Sequence, residues 1–433
     1  MKKLLLLTYL TSTILLAQSK DIEKKNYITF SEYENTSCST EFQTLISESI
    51  STHPSIAMAQ NVVDGSIYQQ DSAKWEYYPT PSVDASYKNR DKNSITARLD
   101  QPIWTGGKID AKYEIATHKK EEAINALDEG KYKIIDDSVK ILQDYLTTKE
   151  KIQLLNQNKA QFGKLFEMLN RMISAGVLSQ TDKDLLKSKL AMLSSDLIVT
   201  KSKHKISKVQ FEILTGKTQN CEIKYEHKKI LPNHINMDKL IEDLRAYHPA
   251  LRIMLMKLKI AKEEINLEKA NLWPTVSLRA EHRRGTIYDE SDVESENLAY
   301  IAFSMTTGAG LSALSNIEKA KINISKVKNE KYAKEKTLVD ELMADYTSYV
   351  TAIGHYDLLV KDVEGAKKLY ESNKRLFVSQ QKKWLDVVNS LSALNNLIIK
   401  QSQVKIEKQI LEFKLALKTG KIELDTLKVL NDL

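Results

Sequence analysis

The strongest constraint on this chain is that it carries one plan twice. His53-Pro54 recurs as His248-Pro249 and Tyr78-Pro79 as Trp273-Pro274, both at an offset of 195. Farther along the offset becomes 204. Gly106 answers Gly310, Gly176 and Asp182 answer Gln380 and Asp386, and Thr215-Gly216-Lys217 answers Thr419-Gly420-Lys421. One insertion of nine residues between Pro274 and Gly310 accounts for the change, and the acidic stretch 283–297 is its natural place. A repeat of this kind sets the architecture before any local motif is weighed.

Each half opens with a helix whose first turn carries a proline, Pro54 or Pro249, where a missing N–H costs nothing. Two alternating segments follow the second proline. Val83, Ala85 and Tyr87 share a face against Ser82, Asp84 and Ser86, and on the return Ile95, Ala97, Leu99 and Ile103 oppose Thr96, Arg98 and Asp100. In the second half Val276, Leu278 and Ala280 oppose Ser277, Arg279 and Glu281, while Ala299, Ile301, Phe303 and Met305 oppose Tyr300, Ala302 and Ser304. Period-two segments of about 9 to 11 residues have the length that crosses a bilayer when tilted.

After each hairpin the pattern turns helical, over about 108–175 and 311–379, a reach of roughly 100 Å at 1.5 Å per residue. Ile152, Leu155, Phe162, Phe166, Leu169 and Ile173 predict a coiled-coil seam in the first stretch. Val339, Leu342, Tyr346, Val350, Ile353, Val360 and Val363 predict one in the second. Short turns at 176–179 and 379–382 send a helix back to Gly216 or Gly420, both read as C-caps. With 13 Gly and 7 Pro in 433 residues, and no proline between Pro102 and Pro232, long helices have few places to break. The expected class is mainly α with a small transmembrane β part: long antiparallel coiled-coil helices plus two β-hairpins per protomer.

Four strands cannot close a barrel, and an open sheet edge in lipid leaves backbone groups unpaired at several kcal/mol each, so the protomer must assemble. Two copies give eight strands and a filled interior; three give twelve and a lumen. A trimer is therefore expected. Trp75, Trp104 and Trp273, with Tyr77 and Tyr78, fall at helix–strand junctions, either as an aromatic interface girdle or as plugs in the core.

Lys2 and Lys3, the apolar run Leu4 to Leu16 and the small residues Ala17 and Ser19 read as a signal peptide. No later stretch reaches the roughly 20 apolar residues of a helical span, and Cys38 lies too far from the apolar run to be a lipobox cysteine. The net charge of +7 is low for a nucleic-acid binder of this length. Gly216-Lys217-Thr218 is no phosphate loop, because Phe211 stands five positions before Gly216 and a helix precedes. No His-Glu-x-x-His, Cys-x-x-Cys or Gly-x-Ser-x-Gly is present, so no enzyme, cofactor or metal is expected. His53 and His248 read as helix caps. Cys38 and Cys221 are either a disulfide, which an oxidising periplasm favours, or two separate small buried residues. Lys88, Arg90 and Lys92 in one hairpin loop, and Asp289, Glu290, Asp292, Glu294 and Glu296 in the other, read either as solvated loops facing outside the cell or as opposite charges gathered there in a lid.

These residues together resemble TolC-type outer-membrane efflux and secretion proteins, over nearly the whole chain from about Thr40 to Leu427. The resemblance is carried by HPSIAMAQ at 53–60, WEYYPTPSVDASY at 75–87, LDQPIWTGGKIDA at 99–111, AGVLSQTD at 175–182, HPALR at 248–252, ANLWPTVSLRA at 270–280 and WLDVVNSLSALNN at 384–396. It implies a homotrimer with a twelve-stranded β-barrel, an α-helical periplasmic barrel and an equatorial domain. It also implies docking to a periplasmic adaptor and an inner-membrane ABC or resistance-nodulation-division pump. The family's adaptor-contacting turn matches Gly176, Val177 and Leu178. The second copy departs from it, with Ser379 and Gln380 where glycine is usual. Its gate aspartates match Asp386, with Asp182 in the equivalent place in the first turn; Asn389 stands for the usual second acid, and Lys382 for a basic gate residue. An Asp in the first turn of a helix is stabilising in any protein, so the capping reading stands beside the gate reading.

The resulting plan is a signal peptide at 1–19, an N-terminal periplasmic segment at 20–39, a first repeat at 40–220, an equatorial linker at 221–236, a second repeat at 237–424 and a tail at 425–433. The hairpins are expected at about 79–105 and 274–307, and the helical tips at about 176–182 and 379–386. The expected function is an outer-membrane channel-tunnel of a tripartite export system, for type I protein secretion or multidrug efflux. The alternative is a structural periplasmic coiled-coil protein without a pore.

Overall fold

The structure, a computed structural model, describes residues 39–88, 92–177, 179–216, 221–227, 229–232, 236–285, 294–305 and 312–427. Ser39, Cys221 and Glu222 fall in a small unit of their own, and the larger unit carries the helices and the four-stranded sheet. Eight helices and six strands are described. In chain order they are β1 (Ser39–Glu41), α1 (Phe42–Thr52), α2 (Pro54–Trp75), β2 (Thr80–Lys88), β3 (Lys92–Trp104), α3 (Lys108–Ser174), α4 (Gln180–Thr215), β4 (Glu222–Lys224), α5 (Met237–Tyr247), α6 (Pro249–Ala270), β5 (Thr275–Gly285), β6 (Glu294–Ser304), α7 (Ser312–Val378) and α8 (Trp384–Lys418).

The repeat is visible in the element boundaries. Helices α1 and α5 have 11 residues each and start 195 apart; α2 and α6 have 22 each, again 195 apart. Helices α3 and α7 have 67 residues each and start 204 apart. The short helices α1 and α5 precede the prolines at which each half was expected to begin. Their signal is Phe42, Leu45, Ile46 and Ile50 in one and Leu240 and Leu244 in the other, buried at helical spacing. His53 and His248 end these helices and begin the next, each ring accepting the backbone N–H two residues on.

The helices share α3 as a spine. Along its first half α3 packs on α2 and α6, and α6 packs on α7; along its second half α3 packs on α4 and α8, and α8 packs on α7. In that second half the order is therefore α4, α3, α8, α7, with α4 and α7 at the edges. Three apolar clusters fill the packing. One gathers Phe42, Ile135, Leu142, Tyr145, Phe211 and Phe413, a second Leu244, Leu251, Leu342, Tyr349 and Leu415, and a third Phe162, Leu169, Leu186, Trp384 and Val387 near the hairpin tips.

The expected seam on α7 needs correction. Leu338, Leu342, Tyr349, Ala352 and Leu359 are the buried residues, whereas Val350, Ile353 and Val360 are exposed. Helix α7 carries two apolar stripes, and only one faces α8. The other, joined by Met343, lies bare on the molecule's edge.

Between the repeats, His227, Ile230 and Leu231 are tied to α8 by Glu412. Its Oε1 accepts the backbone N–H of Ile230 at 2.8 Å and of Leu231 at 3.0 Å, and Oε2 meets His227 Nε2 at 3.2 Å. Burial raises the carboxyl's pKa, but His227 and the two N–H donors outweigh it and hold it below the usual range.

Candidate functional site

Four regions carry the residues that the sequence singled out: the sheet, its junction with the helices, the two helical tips and the bare helix edges. The sheet has the order β2-β3-β5-β6, antiparallel throughout. Register brings the apolar residues of all four strands onto one face, with Val83 opposite Ala97, Ala85 opposite Ile95, Leu99 opposite Ala280, Leu278 opposite Ile301 and Val276 opposite Phe303. These residues do not cover a core. Val83 is 71% exposed and Phe303 73%. Toward the loops this face turns polar at His282, hydrogen-bonded to Asn297 at 2.7 Å.

The opposite face is a ladder of ion pairs. Glu281 accepts from Arg98 at 2.6 Å, from Arg283 at 2.6 Å and from the Tyr300 hydroxyl at 2.8 Å, and its side chain is fully buried by them. One step away, Arg279 Nε donates to Asp100 at 2.8 Å. These pairs link β3, β5 and β6 on one side and leave the apolar residues on the other. Strands β2 and β6 stand at the edges of the sheet, each with a neighbour on one side only among the described residues.

At the base of the sheet the aromatic residues gather. Trp75 and Tyr78 have ring centroids 5.2 Å apart, and Trp104 and Trp273 meet edge to face at 6.1 Å. All four are exposed, so none is a plug inside the protomer. Gly106 holds the turn into α3 with φ of 62°, and a Cβ there would lie 2.5 Å from Trp273 Cβ. The Tyr77 hydroxyl donates to Asp110 at 2.6 Å, fixing the start of α3.

The two helical tips share a backbone. Gly176 N–H reaches Ile173 O at 2.9 Å and Val177 N–H reaches Met172 O at 2.9 Å; Gln380 reaches Phe377 O at 3.0 Å and Gln381 reaches Leu376 O at 2.9 Å. This is the Schellman pattern, in which the C′ residue takes left-handed backbone. Gly176 does so at φ 75° and Gln380 at φ 62°. The missing glycine has therefore not changed the turn; a glutamine adopts the glycine's conformation. Asp182 accepts the Ser179 N–H at 3.4 Å and Asp386 the Lys383 N–H at 3.2 Å, each as the acid of its helix's first turn. Ser379, Gln380, Lys382 and Asn389 are exposed and Asp386 is half-buried. Leu178 lies outside the described residues, as do Cys38, Arg90, Asp289, Glu290 and Asp292.

A residue to which the sequence assigned no role anchors the second tip. Trp384 is 2% exposed and packs its ring against Phe377 at 5.1 Å. The first tip has Gln180 and Ile173 at these two places. The signal was the position of this fourth tryptophan, far from the sheet that the other three border.

The edges of the helical layer are apolar and bare. On α4, Met192, Val199, Ile206 and Ile213 are exposed at intervals of seven residues, and on α7 the counterpart is Met343, Val350, Ile353 and Val360. A stripe with a seven-residue period is the seam of a coiled coil. Among the described residues no helix is long and apolar enough to cross a membrane, and no three of His, Cys, Asp and Glu are grouped as a metal would need. No cysteine among the described residues is a free thiol.

No protein-family model and no curated protein matches the chain. Solved structures do. The outer-membrane channel OprN superposes with a TM-score of 0.75 at 14% identity, over 88% of this chain and 89% of that one. The outer membrane protein VceC from Vibrio cholerae gives 0.73 at 15% identity, over 88% and 96%. The Campylobacter jejuni CmeC outer membrane channel gives 0.70 at 13% identity, over 95% of each chain. At such identities a likeness establishes the fold, and the fold of this chain is that of TolC-type outer-membrane channel proteins.

Proposed function

We propose that this protein is the outer-membrane channel of a tripartite export system, closed from three copies. The observation that carries the reading is the sheet: four strands of lipid-crossing length, apolar and bare on one face, ion-paired on the other, with both edges open. An open edge in lipid is costly, and three copies would pair each β6 with the next copy's β2 in a twelve-stranded barrel wide enough for a lumen. The helical edges support the same closure, since α4 of one copy would meet α7 of the next, apolar stripe to apolar stripe. A pore-free coiled-coil protein has no use for a bare apolar sheet. Conductance steps from the purified protein in planar bilayers are expected; a protein that leaves the bilayer silent and fractionates away from the outer membrane would defeat the reading.

In this reading Trp75, Tyr78, Trp104 and Trp273 form the aromatic girdle at the periplasmic interface of the outer membrane. The helical barrel hangs in the periplasm, with tips Gly176, Val177, Leu178, Ser379 and Gln380 docking a periplasmic adaptor, which joins an inner-membrane ABC or resistance-nodulation-division pump. Asp386, with Asp182, Lys382 and Asn389, lines the periplasmic gate, where three symmetry-related carboxylates repel one another and attract cations. Divalent-cation block of the conductance should disappear in Asp386→Ala; block of wild-type strength would remove Asp386 from the gate. The plan from signal peptide 1–19 through linker 221–236 to tail 425–433 belongs to the same proposal, as does a Cys38–Cys221 disulfide. Alkylation with and without reduction distinguishes two thiols from none.

A further inference from the structure

Where α6 begins and α8 ends, α3, α7 and α8 frame a cavity of about 750 Å³. His248 lines it and is only 4% exposed. Its Nδ1 accepts the N–H of Ala250 at 3.3 Å, which caps α6. An imidazole nitrogen that accepts leaves the proton of the neutral ring on the other nitrogen. That nitrogen, Nε2, is buried and has no hydrogen-bond partner among the described residues. Buried donors in folded proteins are paired, by protein, by ordered water or by a bound group. The Tyr132 ring lies against the imidazole with centroids 4.8 Å apart, so the donor's direction is held.

The charges around it are unevenly matched. Lys418 is held by Asp345 at 2.7 Å and Glu341 at 3.5 Å, and Lys140 by Asp136 at 2.8 Å. Lys133, Lys334 and Lys414 line the same cavity without a carboxylate partner among the described residues, against one lining acid, Glu129, that is likewise without a cation. Burial, with the charges of Lys334, Lys418 and Arg252 adding to it, pushes His248 down to about 4, so the ring is neutral near pH 7 and presents a fixed N–H.

We propose that this cavity binds a small oxyanion, a carboxylate or phosphate group, with His248 Nε2–H as the directional donor and Lys334 and Lys414 as the countercharge. The site rests on the geometry of one protomer and does not depend on the export reading. The repeat supplies its control. His53 caps α2 as His248 caps α6, but it is only half-buried and its Nδ1 also meets the Ser55 hydroxyl at 2.7 Å.

The test is thermal unfolding of the purified full chain at constant ionic strength, with sodium phosphate or sodium acetate replacing chloride. A ligand that binds only the folded state raises Tm in proportion to the logarithm of its concentration above Kd. Wild type and His53→Asn should both show the rise. His248→Asn keeps a good N-cap but loses the buried donor, and Kd should weaken about tenfold. Lys334→Gln, which leaves the helix end untouched, should weaken it as well. A rise with phosphate alone assigns the ligand to phosphoryl compounds, and one with acetate alone to carboxylates; either supports the site. No rise above chloride with either anion overturns it, as does a wild-type response in both His248→Asn and Lys334→Gln.

Discussion

The two repeats were laid down on one backbone and have since been packed differently. Their tips show it most clearly. The hydrogen bonds that turn α3 into α4 recur 204 residues later, between α7 and α8, down to the left-handed residue and the first-turn aspartate. Around that shared turn the first tip has Gly176, Gln180 and Ile173, and the second has Gln380, Trp384 and Phe377. A backbone motif thus tolerates the loss of its usual glycine, at a cost, while the side chains beside it take up or give up a place in the core. The helix starts at the two prolines diverge likewise: His53 is a half-buried cap and His248 a buried one.

The largest expected effect sharpens the contrast in packing. Trp384→Ala should cost about 3–5 kcal/mol in denaturant unfolding, the range for a buried aromatic. Gln180→Ala, at the equivalent exposed position, should stay within about 0.5 kcal/mol. Equal losses at the two sites would break the comparison.

Next in size is the acid response of the second repeat. His248 has a folded-state pKa of about 4, below its usual 6.5, so the unfolded chain takes up the proton first. Stability is full above about pH 6.5 and falls as pH drops toward 4, by about 3 kcal/mol. In His248→Asn this part of the acid loss should be absent from stability measured between pH 7 and 4; an unchanged slope would place the loss on other groups.

A smaller pair tests the turns. Gly176→Ala forces a Cβ into left-handed backbone and should destabilise by about 1 kcal/mol, whereas Gln380→Gly should relieve strain and stabilise by up to about 1 kcal/mol. Opposite signs are the prediction; the same sign at both sites would mean that the two turns are not equivalent. The first-turn carboxylates come last, with Asp182→Ala and Asp386→Ala each expected to cost about 0.5–1 kcal/mol, alike in both repeats.

Much of the fold was legible because it is local. Scarce glycine and proline leave long helices little choice, and alternation along Val83–Tyr87 or Ala299–Met305 reads directly as a strand with one apolar face. Left-handed Gly176 and Gly216 stand where helices end. The misreading on α7 has a physical cause. Val350, Ile353 and Val360 are as apolar as Leu342 and Leu359, and a sequence does not mark which stripe meets its own α8 and which is left for an edge. Glu412, Trp384 and the orphaned Nε2 of His248 were hidden for another reason. Each matters through partners more than a hundred residues away, His227 and residues 230–231 for Glu412 and Tyr132 for His248, or through its place in a core that only the folded chain defines.

In the proposed channel, the bare apolar sheet face, the sheet edges that have no neighbour among the described residues and the exposed stripes of α4 and α7 would all be covered by neighbours in an assembly of three copies. The most direct test is native mass spectrometry of the detergent-solubilised protein. A species of three times the mass of the mature chain is expected, stable enough to survive transfer. A monomer under the same conditions, folded and with its helical signal intact, would contradict closure from three copies.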